Sequence, residues 1–96
     1  MAKFEISEAA DRDLSEIYAY SFRQYGEQQA DLYLSALHDR FQQLALRPSQ
    51  GRNAEDLRPG YRRSRCASYV IFFVAAPDGI RIIRVLHGRM DPVRHL

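Results

Sequence analysis

The chain has 96 residues, 46% hydrophobic and 27% charged, which suits one modest core and excludes a disordered segment. Its net charge of +2 conceals a division: positions 1–46 carry four basic and eight acidic residues, positions 47–96 ten arginines and four acidic residues. The single Cys66 excludes an internal disulfide, and no stretch approaches the roughly 20 apolar residues of a membrane helix, so a cytoplasmic protein without membrane attachment is expected.

In chain order, residues 3–6 alternate polar and apolar, with Phe4 and Ile6 on one face, as a short strand does. Ser7 has N-cap chemistry and is followed by Glu8, Asp11 and Asp13, where a helix dipole favours negative charge. Ala10, Leu14, Ile17, Tyr18, Phe22 and Tyr25 then recur at helical spacing until Gly26 breaks the pattern. A second apolar stripe, Ala30, Tyr33, Leu34, Leu37, Phe41, Leu44 and Ala45, runs to Pro48. Two helices with so short a link must form an antiparallel hairpin.

Residues 48–60 contain Gly51, Asn53, Pro59 and Gly60 and read as irregular loop. Residues 61–66 read as an arginine-rich, half-exposed strand, and residues 69–74, apolar on both faces, as the central strand. Pro77-Asp78-Gly79 is a hairpin turn, and residues 80–87 return as the last strand. The expected fold is α+β: a single domain over residues 1–96, ordered β-α-α-β-β-β, with the helical hairpin covering one face of an antiparallel sheet.

The chemistry concentrates in the basic half. Such an arginine-rich surface suits an anionic partner, either nucleic acid or an acidic protein segment. Alternation places Arg63 and Arg65 with Tyr61 on one strand face, and Arg62 with Ser64 and Cys66 on the other. It likewise places Arg84 with Ile82 and Leu86, and His87 with Ile83 and Val85. Arg84 interrupts an apolar run, so it should be the most buried of these arginines, satisfied by backbone carbonyls or by a carboxylate such as Asp91, Glu55 or Asp56. His87, with Arg62 or Arg65 and Tyr69, has the residue types of an RNA-cleaving trio, although any arginine-rich domain offers such a set. His87, Asp91 and His95 have helical ligand spacing, but Gly88 and Pro92 argue against a continuous helix, and no metal or other cofactor is expected. Asp11, Asp13 and Glu16 read as a solvated helix face.

Three stretches carry a family resemblance: ALRPSQGR at positions 45–52, DLRPGYRR at 56–63 and IIRVLHGRMDPVRHL at 82–96. With the element order, they make the chain similar to the ParE/RelE superfamily of type II toxin–antitoxin systems, on the ParE branch, across essentially its whole length. The resemblance implies a RelE/ParE-like fold and a toxin active in plasmid stabilisation. It also implies neutralisation by a ParD-like antitoxin in a hetero-oligomer, with DNA gyrase as the target. It implies inhibition by binding, with no catalytic residues and no sequence-specific DNA binding by the toxin itself. The RelE branch instead cleaves mRNA on the ribosome; the lysines that branch uses are absent here, Lys3 being the only one, while His87 resembles a catalytic histidine of some members. On this reading His87, Arg89, Met90, Asp91, Arg94 and His95 form the gyrase-binding surface. Tyr18, Phe22, Tyr33 and Leu37 take the apolar anchors of an acidic, amphipathic antitoxin segment, and Arg58, Arg62, Arg63 and Arg65 its carboxylates.

Overall fold

The computed structural model describes residues 2–96. Strand β1 (Lys3–Ile6) leads through Ser7 into helix α1 (Glu8–Tyr25). The Ser7 hydroxyl accepts the Ala10 N–H at 3.0 Å and donates to the Ile83 carbonyl at 2.7 Å. One side chain thereby satisfies an orphan helix donor and ties the helix start to a distant strand. Ser7→Ala should cost roughly 1–2 kcal/mol in urea unfolding; a loss under about 0.5 kcal/mol would mean the Ile83 contact adds nothing.

Gly26 alone, at φ +89°, separates α1 from α2 (Glu27–Leu46), a backbone conformation open to glycine at little cost. The expected helical hairpin follows. Pro48–Gln50 then make a 3₁₀ turn and Arg52–Asn53 a two-residue strand, β2, where composition alone reads as loop. Strands β3 (Arg62–Cys66), β4 (Tyr69–Ala76) and β5 (Gly79–His87) follow. A one-turn helix, α3 (Pro92–His95), comes last, with Pro92 in its first turn and the Asp91 carboxylate accepting the Val93 N–H at 3.1 Å. Among the described residues no helix is long and apolar enough to cross a membrane.

The sheet order is β1-β5-β4-β3-β2, so β4 is central as expected. Strands β2 to β5 pair antiparallel, but β1 runs parallel to β5, with Lys3 opposite Gly79 and Ile6 opposite Ile82. The sheet is therefore mixed rather than wholly antiparallel. A parallel neighbour needs a long crossover, and the helical hairpin with the strands after it supplies one. Gly79, at φ +156°, is needed where the strands meet, because a Cβ there would collide with the Lys3 backbone carbonyl.

The helices cover one sheet face. Leu14 and Ile17 of α1, with Leu37, Phe41 and Leu44 of α2, pack on Ile71 and Phe73 of β4 and Ile80, Ile82 and Val85 of β5. Each such side chain contributes about 1.5–3 kcal/mol by leaving water. Ile82 and Val85 are three positions apart yet both reach this core, because a bulge between β4 and β5 shifts the register from Phe72 opposite Arg84 to Phe73 opposite Ile82. Simple alternation therefore fails at Ile83. Ile82 turns to the helices, whereas Leu86 remains on the opposite face with Val70 and Phe72.

Arg84 is the least exposed of the arginines compared above: its side chain is 21% exposed against 38% for Arg63, and Arg62 and Arg65 are exposed. Its partner is Asp13, not Asp91, Glu55 or Asp56. Nε and Nη2 donate to the two Asp13 oxygens at 2.8 and 2.9 Å, and Nη1 donates to the His95 carbonyl at 2.7 Å. The same carboxylate accepts the Val85 N–H at 2.9 Å. The physical reason is local: β1 ends opposite Ile82, so this edge of β5 has no strand beside it and Asp13 fills the place. The hydrogen bonding to Asp13 holds the Arg84 guanidinium above the usual arginine range, against the opposing effect of burial, with the Asp13 and Glu16 charges adding to it. Asp11 and Glu16 are solvated as expected, but Asp13 is buried.

Candidate functional site

The sheet face away from the helices carries a hollow of about 610 Å³. Its apolar lining is Val70 and Phe72 of β4 and Leu86 of β5, extended by Met90 and Pro92 of the terminal segment. Arg63 and Arg65 of β3 stand opposite Phe72 and Val70 in the register, and Arg52 of β2 stands opposite Arg63. These arginines and Arg40 of α2 line the same hollow. Arg40 is held there by two bonds to the Ser64 hydroxyl, at 2.9 and 2.7 Å, and by Gln43 and Gln50. Among the described residues only Arg63 of these four has a carboxylate partner, Asp56 at 3.7 Å, and both side chains are well exposed. The groove therefore presents four cations, Arg40 firmly held among them, around an apolar floor, which fits an anionic, amphipathic ligand.

Of the expected antitoxin contacts, the groove collects Arg63 and Arg65. Arg62 turns to the other strand face and donates to the Gly51 carbonyl at 3.2 Å. Arg58 lies in the loop before β3 and donates to the Leu96 carbonyl at 3.2 Å. On the helices, Phe22 is 49% exposed and packs beside Tyr18, whose hydroxyl donates to Asp31 at 3.0 Å. That bond, with burial adding less, pushes the Tyr18 phenol up from its ordinary value. Tyr33 is half-buried on the sheet side of α2. Leu37 is 0% exposed in the core, so it cannot touch a partner; a stripe of helical period does not distinguish core from docking residues. Nor does the sequence flag Arg40, although a cation amid the stripe of Leu37, Phe41 and Leu44 is a trace of it.

The expected target residues occupy one end of the sheet. His87 closes β5, and its Nδ1 accepts the Arg89 N–H at 3.1 Å, so a neutral ring carries its proton on Nε2. Arg89, Met90 and Arg94 are exposed. Asp91 is exposed but caps α3, and His95 lends its carbonyl to Arg84, so both also support the fold. His87, Asp91 and His95 thus fall on a strand end, a cap and a helix, and share no helical face. Val93, 72% exposed, adds an apolar side chain to this surface that sequence reading leaves out.

His87 also packs edge-on against Tyr69, ring centres 5.4 Å apart, and Arg65 lies beside Gly88. Burial raises the Tyr69 phenol, with Tyr33 and Tyr20 adding to it. Burial likewise raises the Cys66 thiol, which Arg40 only partly offsets. The fold therefore packs His87 on Tyr69 and puts Arg65 beside the neighbouring Gly88, but Arg65 and Tyr69 line different hollows, and Arg62 is left out.

Residues 4–92 match the family described as the ParE toxin of type II toxin–antitoxin systems, parDE. Toxin ParE1 of Caulobacter vibrioides is 38% identical over 96 residues, covering 100% of this chain and 99% of its own. Toxin ParE1 of Mycobacterium tuberculosis is 35% identical over 96 residues, covering 99% and 98%. A chain in the solved structure titled "Chromosomal ParDE TA system from P. aeruginosa" superposes with a TM-score of 0.77 over 91% of this chain and 96% of its own, at 20% identity, which speaks for the fold. With a family match over nearly all its length and relatives sharing more than a third of its residues, this chain belongs to the ParE toxin family of type II toxin–antitoxin systems.

Proposed function

We propose that this ParE-type toxin acts by binding: it inhibits DNA gyrase through its C-terminal surface and is held inactive by a ParD-like antitoxin. The observation that carries the antitoxin half is the groove in which Arg40, Arg52, Arg63 and Arg65 stand around Val70, Phe72 and Leu86, with only Arg63 of the four paired to a carboxylate among the described residues. Carboxylates of an acidic segment complete the hydrogen bonding of those guanidiniums, and its apolar residues cover the floor. For the target half, Arg89, Met90, Val93 and Arg94 form an exposed face, and among the described residues the Arg89 and Arg94 side chains make no ion pair; Met90 also lines the groove. A second reading, ribosome-dependent mRNA cleavage, is favoured by His87, which packs on Tyr69 and also lines the groove that holds Arg65.

Deleting the C-terminal stretch would be a poor test, because Leu86 is buried and Arg84 relies on the His95 carbonyl. Met90→Glu with Val93→Glu changes only exposed side chains. This double variant should abolish inhibition of gyrase supercoiling, while His87→Ala retains most of it and wild type leaves ribosome-bound mRNA intact. Cleavage of that mRNA by wild type, lost about 10²-fold or more in His87→Ala, would transfer the function to the ribonuclease.

A further inference from the structure

A second hollow, about 480 Å³, lies between the end of α1, the start of α2 and the adjoining ends of β4 and β5. Its walls are aromatic: Tyr20 and Tyr25 of α1, Tyr33 of α2, Tyr69 of β4 and His87 of β5. The inner rings are already fixed relative to one another. Tyr33 meets Tyr69 edge-on at 5.7 Å and 88°, Tyr69 meets His87 at 5.4 Å and 81°, and the Tyr33 hydroxyl accepts the Ser68 N–H at 3.3 Å. The outer two stay solvated, Tyr20 at 49% and Tyr25 at 67% exposure. Among the described residues the groove and this hollow share only His87, and no lysine, arginine, aspartate or glutamate lines the hollow.

Its electrostatics are the reverse of the groove's. Ring faces are the negative part of an aromatic quadrupole, and four tyrosines line this one space. Tyr20 and Tyr25 belong to the last two turns of an 18-residue helix, where the dipole is negative. Glu16, one helical turn before Tyr20, lines the adjoining hollow, which shares Tyr69 and His87 with this one. Among the described residues Glu16 makes no close ion pair, although its charge acts on Arg84 across the same hollow. Phosphate is disfavoured beside these groups, which argues against a nucleotide, whereas a planar cation can stack on the rings. We infer that the hollow is an aromatic cage for an arginine side chain presented by a partner protein, with Glu16 at its rim. The toxin then offers a partner two contacts of opposite chemistry: a cationic groove for acidic residues and a tyrosine cage for a basic one.

The test uses the full chain and an acetylated, amidated Gly-Arg-Gly peptide followed by NMR. The ring protons of Tyr20, Tyr25, Tyr33 and Tyr69 should shift saturably with this peptide and not with the matched Gly-Glu-Gly. Tyr20→Phe with Tyr25→Phe should bind within about twofold of wild type, because the ring faces remain. Tyr20→Leu with Tyr25→Leu should bind roughly five- to twentyfold more weakly, with an unchanged amide spectrum elsewhere, since both positions are exposed. Absence of saturation with the arginine peptide would overturn the inference. So would stronger shifts of the same rings with adenosine monophosphate, or undiminished binding by the leucine variant. Acidic-peptide binding in the groove should be the same in all these variants, which separates the cage from the proposed antitoxin site.

Discussion

Asp13→Ala should destabilise the protein by roughly 3 kcal/mol, a larger loss than removal of any exposed charge in the chain. Three bonds end on this carboxylate: two from the Arg84 guanidinium and one from the Val85 N–H. The variant leaves a strand N–H without a partner and a mostly buried guanidinium holding only the His95 carbonyl. For a domain of this size the melting temperature should fall by roughly 12–24 °C. The Arg81–Glu5 pair is the natural contrast: its 3.2 Å separation is ordinary, but its side chains are 47% and 65% exposed. Glu5→Ala should therefore change stability by no more than about 0.5–1 kcal/mol. Asp13→Ala combined with Arg84→Met should recover part of the loss, because the unpaired cation is removed with its partner. If Asp13→Ala unfolds within about 1 kcal/mol of wild type, the clamp between α1 and β5 is not what stabilises that edge.

The second large effect concerns the groove. Arg63→Glu combined with Arg65→Glu should weaken association with the proposed ParD-like antitoxin by about 10²-fold or more, since repulsion replaces attraction at two points. Both side chains reach solvent, so the fold should tolerate the change. Arg81→Glu, at the β1 side of the sheet, introduces the same reversal away from the groove and should leave affinity nearly unchanged. Raising the salt concentration should weaken the wild-type complex more than the doubly reversed one, because exposed charges are screened. Calorimetry or surface-based kinetics would measure both comparisons. Binding of the double variant within about threefold of wild type would place the acidic segment elsewhere, the exposed Phe22 side of the helical hairpin being the alternative.

His87 stands where these surfaces meet, since it lines the arginine groove, the tyrosine hollow and the smaller hollow beside Asp13. Its backbone carbonyl accepts the Met90 N–H at 2.9 Å while Nδ1 holds the Arg89 N–H, so the residue also shapes the turn that presents the terminal face. Its substitution can therefore affect several contacts at once. For that reason His87→Ala discriminates between binding and cleavage only through the mRNA readout, where a catalytic histidine and a turn-forming one behave differently.

By itself the sequence determined β1, α1, α2, β3, β4 and β5, though not β2 or α3, together with the central place of β4 and the resemblance to the ParE branch. These are local properties: Ser7 and Gly26 bound α1, stripes of helical period mark the hairpin, and Pro77-Asp78-Gly79 turns β4 into β5. It also showed that Arg84 needs a partner, because a guanidinium inside an apolar strand cannot remain uncompensated. Which partner, and what surrounds it, only the tertiary structure decided. Asp13 lies 71 positions away and resembles its solvated neighbours Asp11 and Glu16 until α1 is laid across the open edge of β5. The bulge at Ile83, the parallel pairing of β1, the arrival of Arg40 beside Ser64 and the burial of Leu37 have no local signature either. Each depends on which segments meet across the sheet, and contacts between distant segments are set by packing, not by the order of neighbouring residues.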